Sequence, residues 1–140
     1  MDTTVPAPPQ ARLVRRPRTT LGLLRVLLTV HLLAVLGQPI LAGLFLTGHV
    51  DAIAVHGIVG SVLVVFTMLV GVAALAYVMV VGGRWWVLAA VVLLFLAEGL
   101  QVGTGYARVL QVHIPLGVLI VTLSVLLAGW VWTPSAGRAG

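Results

Sequence analysis

Four long apolar runs separated by very short spacers constrain this chain more than any other feature. The runs are Leu21–Thr47, Ile53–Val81, Trp85–Val102 and Val109–Trp132. About 20 apolar residues suffice for a helix to cross a hydrocarbon core of roughly 30 Å. Strands are excluded on physical grounds, because an open sheet leaves its edges unsatisfied in lipid and four segments cannot close a barrel. The spacers carry turn residues: Gly48 to Asp51, Gly82-Gly83-Arg84, and Gly103 to Arg108. Connections this short make neighbouring helices antiparallel. The expected fold is an all-α integral membrane protein, an up-down-up-down bundle of four transmembrane helices over residues 21–132. Composition agrees: 61% of residues are hydrophobic and 8% charged, against about 25% charged in soluble domains. The lipid bilayer is therefore the first expected partner.

The charge pattern excludes some functions and orients the chain. All eight basic residues are Arg, and Arg12, Arg15, Arg16, Arg18 and Arg25 cluster at the start. No basic stripe interleaved with aromatics remains to follow a phosphate backbone, so nucleic acid is not an expected partner. The chain has no cysteine, which removes disulfides, thiolate metal sites and thiol catalysis. Cytoplasmic loops are enriched in basic residues. With both termini in the cytoplasm, only Arg108 lies on the outer side, and Trp85, Trp86, Trp130 and Trp132 sit at the inner ends of helices. This predicts a multi-pass protein of the cell membrane. Residues 1–20, with four prolines and no apolar periodicity, read as a disordered Arg/Pro-rich tail. Residues 133–140 read as a short polar end. Arg25 is placed to snorkel back to the headgroups. The first run is longer than a signal-peptide core and contains His31 and Gln38, so it is expected to be retained.

The hydropathy hides a repeat. The second helix begins Val55-His56-Gly57-Ile58-Val59-Gly60 and the fourth Val112-His113-Ile114-Pro115-Leu116-Gly117. Both read V-H-x-x-x-G, and Gln38 and Gln101 precede them in the helices before. The chain thus reads as two parallel copies of one helical hairpin. His56 and His113 each lie five residues past a polar loop residue, Asp51 or Arg108. They are expected at one depth near the outer surface. The glycine four residues on, Gly60 or Gly117, shares the histidine's face and leaves room there for a flat group or a close helix. Two neutral imidazoles facing each other are candidate axial ligands of one haem b. The alternative is that each donates to a carbonyl or water.

Other polar groups fall inside the spans, where they are costly and are functional candidates by default. Glu98 is expected near the depth of the histidine pair, beside the cofactor or in a proton relay. Its structural alternative is a carboxylic acid bonded to Gln101, Gln111 or a backbone carbonyl. His31 is deeper, with Met68 as a possible co-ligand, but is better read as bonded to Thr67, Thr122 or Ser124. His49 and Asp51 read as solvated loop residues, and Pro39 as a kink. Gly37, Gly43, Gly57, Gly60, Gly71 and Gly117 read as close-packing positions.

On Gln38-x-x-x-Ala42-Gly43, His56-x-x-x-Gly60, Gln101-x-Gly103 and His113-x-x-x-Gly117, the chain resembles one four-helix half of heme A synthase. It is similar more broadly to small cytochrome b-type four-helix membrane proteins. The resemblance implies haem ligation by His56 and His113. The synthase has eight helices, an acidic catalytic residue in its first outer loop and often a loop cysteine pair. Here there are four spans, Asp51 in that loop and no cysteine, so catalysis would need a homodimer or a partner. The functional expectation is a haem b protein in electron transfer or haem handling, with His56, His113, Gly60, Gly117 and Glu98 at the site. The alternatives are an accessory subunit of a larger membrane complex and a small proton-relay or transport protein using Glu98.

Overall fold

The computed structural model describes residues 18–138, and of Arg18 only the backbone. The tail expected over residues 1–20 therefore lies outside the described residues as far as residue 17. The chain forms α1 (Arg18–Leu46), α2 (Ala52–Val81), α3 (Trp85–Tyr106) and α4 (Leu110–Val131), followed by a short 3₁₀ turn, Pro134–Gly137. No strand occurs among the described residues. All four helices are long and apolar enough to cross a membrane; even the 22-residue α3 and α4 span about 33 Å. Each helix packs on its sequence neighbours, and α1 also packs on α4.

The inward side chains follow one register. In α1 the buried positions are Leu21, Leu24, Leu28, His31 and Val35, and the same alternation of three and four residues continues to Gln38 and Ala42. In α2 it runs from Leu63 through Thr67, Val70, Ala74 and Tyr77 to Val81. In α3 it takes Val87, Val91, Leu94 and Glu98, and in α4 Ile120, Ser124, Leu127 and Val131. A repeat of this period keeps one stripe of each helix on the bundle axis. Lipid supplies no hydrophobic drive for helix association, so packing and polar contacts along that stripe hold the bundle.

The end of the bundle where α1 begins and α4 ends is closed. Trp86 and Trp130 meet edge to face, with centroids 4.6 Å apart. The buried Tyr77 hydroxyl donates to the Ala136 carbonyl at 2.9 Å and accepts from the Arg84 N–H at 3.4 Å. The residues after α4 are thus docked rather than a free polar end: Ala136 is buried, and only 139–140 lie outside the described residues. Arg25 reaches towards this end of the bundle. Its Nε donates to the Val131 carbonyl at 2.9 Å and its guanidinium lies 5.1 Å from the Trp132 ring centroid. The carbonyls at the end of a helix have no partner within it, and this bond satisfies one of them.

One boundary differs from the sequence reading in a way that matters below. The spacer expected over Gly103–Arg108 is mostly helix, because α3 continues to Tyr106. The Thr104 hydroxyl bonds back to the Leu100 and Gln101 carbonyls, as mid-helix threonines do. Only Ala107, Arg108 and Val109 remain as the connection, with Arg108 in the left-handed region at φ 57°.

Candidate functional site

At the opposite end the four helices part around a cavity of about 600 Å³. This lies within the roughly 300–1,000 Å³ typical of cofactor and drug-sized sites. Its walls come from Val35, Gln38, Pro39 and Ala42 of α1, His56, Gly57, Gly60 and Leu63 of α2, Glu98, Gln101, Gly105 and Tyr106 of α3, and His113, Gly117 and Ile120 of α4. The residues singled out in the sequence, His56, His113, Gly60, Gly117 and Glu98, all line it.

The two imidazole centroids lie 6.1 Å apart with planes at 61°, an edge-on pair. His56 Nδ1 lies 3.1 Å from the Gln38 carbonyl, and His113 Nδ1 lies 2.9 Å from the Gln101 carbonyl. A carbonyl only accepts, so each Nδ1 carries the ring proton and donates it. In the neutral ring this leaves Nε2 with a lone pair, the tautomer that binds metals. The Gln101 amide nitrogen is 3.3 Å from His113 Nε2 and donates to it.

The room under each histidine is used differently from the sequence expectation. It is occupied by glutamine amides rather than by an empty slot. A Cβ at Gly117 would stand 2.9 Å from Gln101 Nε2, and one at Gly60 would stand 3.6 Å from Gln38 Oε1. Gln38 Nε2 and Gln101 Oε1 are both buried without a partner. Gly105, not Gly103, is the close-approach residue beside Gln101: a Cβ there would meet the His113 ring at 2.8 Å, whereas Gly103 has nothing within 4 Å. Gly105 is four residues after Gln101 and so on its face, which was the available signal. Gly57 packs on the Tyr106 hydroxyl, while Gly37, Gly43 and Gly71, expected as packing positions, have nothing within 4 Å.

Glu98 and His31 are each other's partners, which the sequence reading missed. Glu98 Oε1 lies 2.5 Å from His31 Nε2, and Oε2 lies 2.6 Å from the Thr67 hydroxyl. Neither Gln101 nor Gln111 holds the acid, and Thr67 reaches His31 only through it. The extra turn of α3 is the reason: it carries Glu98 about 6 Å deeper than a helix ending at Val102 would. His31 also stacks on Phe66 at 6.5 Å, and Met68 is 57% exposed, so it is no co-ligand. Among the described residues no group of three or more His, Cys, Asp and Glu is placed to hold a metal ion.

No family model, curated protein or solved structure matches this chain.

Proposed function

We propose that the chain is a haem b-binding protein of the cell membrane, with His56 and His113 as the two axial ligands, serving electron transfer or haem handling. The observation that carries this is the imidazole pair. Two rings binding one iron from opposite sides, with bonds of about 2 Å, have centroids roughly 6 Å apart; here the separation is 6.1 Å. The donor set fits the same group. Two protein ligands are too few for a bare metal site, but a tetrapyrrole brings four nitrogens of its own. The carbonyls of Gln38 and Gln101 accept the ring protons at Nδ1. A metal held by His113 Nε2 would take the lone pair that now accepts from the Gln101 amide nitrogen at 3.3 Å. When bound, the haem would supply one-electron chemistry, while the chain positions it and excludes water.

The finer architecture belongs to this proposal. It is an up-down-up-down bundle of two parallel hairpin repeats with both termini cytoplasmic. Its support is a shared register. His56-Gly60-Leu63-Thr67-Val70 and His113-Gly117-Ile120-Ser124-Leu127 have identical spacing, as do Val35-Gln38-Ala42 and Glu98-Gln101-Gly105. The resemblance to a four-helix half of heme A synthase rests on these same positions. A homodimer or a larger membrane complex would supply the electron partner.

The test is the reduced-minus-oxidised absorption spectrum of the full chain purified after expression with ample haem. Sharp α and β bands of low-spin, six-coordinate iron are expected at about one haem per chain. A colourless protein overturns the reading. A cytoplasm-specific reporter fused to the C-terminus should be fully active, and an external signal there would overturn the four-span orientation.

A further inference from the structure

Below the cavity lies a polar cluster that haem ligation alone does not need. His31, Thr67 and Glu98 are 0%, 1% and 4% exposed, and Glu98 is the only one of the three that lines the cavity. Towards the closed end the cluster leads nowhere. The next inward positions are Leu28, Val70, Leu94 and Leu127, all buried and apolar. Beyond them the Tyr77 hydroxyl is committed to Ala136 and Arg25 to Val131. Among the described residues the cavity, which Glu98 lines, is thus the polar approach to this cluster.

The hydrogen bonds suit two protonation states. The Thr67 hydroxyl has one proton and two acceptors in reach, the Leu63 carbonyl at 3.0 Å and Glu98 Oε2 at 2.6 Å. It donates to Glu98 when the acid is a carboxylate. It turns to Leu63, and accepts from Oε2, when the acid carries a proton there. On the other side Glu98 Oε1 lies 2.5 Å from His31 Nε2 and accepts from its N–H when the acid is a carboxylate, and His31 Nδ1 has no partner. The site is unique to one side of the bundle. In the register above, Val35 stands where Glu98 does, and Ser124, the counterpart of Thr67, has a buried hydroxyl without a partner.

We propose that the Glu98–His31 pair is a redox-linked proton store. It takes up one proton through the cavity when a one-electron donor reduces the bound haem, and releases it on oxidation. This rests on the haem-binding reading. Glu98 forms one O–H bond as the electron arrives, the proton coming from water at the cavity mouth, so the added negative charge is neutralised within the low-dielectric interior. The other groups around the pair are His56, His113 and Tyr106 at the cavity, Ser124 on α4, and Arg25 and Tyr77 towards the closed end. None of these bonds to Glu98.

The test is a redox titration of the haem-loaded full chain followed by absorption and infrared difference spectroscopy. Glu98 is the only glutamate in the sequence, so ¹³C-glutamate labelling assigns its band without mutation. The wild type is expected to lose about 59 mV of midpoint potential per pH unit, one proton per electron. Reduction should add a protonated-carboxyl band that shifts with the label. Glu98→Gln should keep the low-spin spectrum and lose both the slope and the band. A full low-spin spectrum with a pH-independent potential, no label-sensitive band, or a slope that persists in Glu98→Gln overturns the proton store while leaving haem binding intact. A chain that takes up no haem overturns both.

Discussion

The two halves of the bundle use the same inward register for opposite ends. In the half where α1 begins and α4 ends the stripe positions are Leu24, Leu28, Val70, Tyr77, Val87, Val91, Leu127 and Val131, each less than 2% exposed. In the other half the same stripe carries Gln38, His56, Gly60, Gln101, Gly105, His113 and Gly117 around a 600 Å³ cavity. Side chains that fill space are replaced by glycines and by groups that hydrogen-bond. The difference is that the closed half is filled by apolar side chains while the open half keeps a cavity lined by glycines and hydrogen-bonding groups, with His31, Glu98 and Thr67 at the junction.

The largest effect expected from breaking this division is at Tyr77. Tyr77→Ala leaves a void in the packed half and strips the Ala136 carbonyl and Arg84 N–H of their partner. It should cost on the order of 3–5 kcal/mol, read as a large drop in the thermal midpoint of the detergent-solubilised protein. His56→Ala, in the half already hollow, should cost well under half of that in haem-free protein. Equal losses would erase the distinction.

Next come the glycines. Gly105→Ala drives a methyl into the His113 ring, and overpacking of this kind costs about 1–3 kcal/mol. It should also weaken the bond from His113 to the Gln101 carbonyl and reduce haem retention. Gly37→Ala and Gly71→Ala meet nothing and should stabilise by roughly 0.5–1 kcal/mol through helix propensity. Parallel thermal melts and haem stoichiometry of the three variants check this. A harmless Gly105→Ala would mean the imidazole is free to move.

A smaller contrast separates two matched hydroxyls. Thr67→Val removes the hydroxyl bonded to Glu98 Oε2 and should cost about 1–3 kcal/mol, the penalty of an unsatisfied buried polar group. Ser124→Ala removes a hydroxyl that has no partner and should be neutral or slightly stabilising. Melting curves of the two variants should diverge, and coincident curves would remove the asymmetry assigned to Glu98.

Much of the frame was legible because a membrane leaves few choices. Runs of apolar residues of span length bounded by Gly-rich turns gave helices whose starts at Ala52 and Trp85 lie within a residue of the expected ones. The repeated V-H-x-x-x-G pairs His56 with His113, and equal offsets from a turn place the two side chains level on co-directional helices. What escaped the sequence were long-range partners. The sequence reads Gly103 and Gly105 as a turn and so sets Glu98 beside the histidine pair, whereas α3 runs through both glycines to Tyr106 and carries the acid down to His31. The alternative reading, that each imidazole donates to a carbonyl, describes the Nδ1 contacts found; which carbonyls, those of Gln38 and Gln101, has no signature in the sequence. The role of Ala136 as a plug depended on Tyr77, fifty-nine residues away.

The central claim is that the paired imidazoles clamp one iron. Its most direct test compares reduced-minus-oxidised spectra of wild type, His56→Ala, His113→Ala, His31→Gln and His49→Ala, each purified with haem supplied. The account predicts that either cavity variant loses haem or turns it high-spin, while the other two keep the low-spin α and β bands. Low-spin bands that survive in both His56→Ala and His113→Ala, or a wild type without haem, would contradict it.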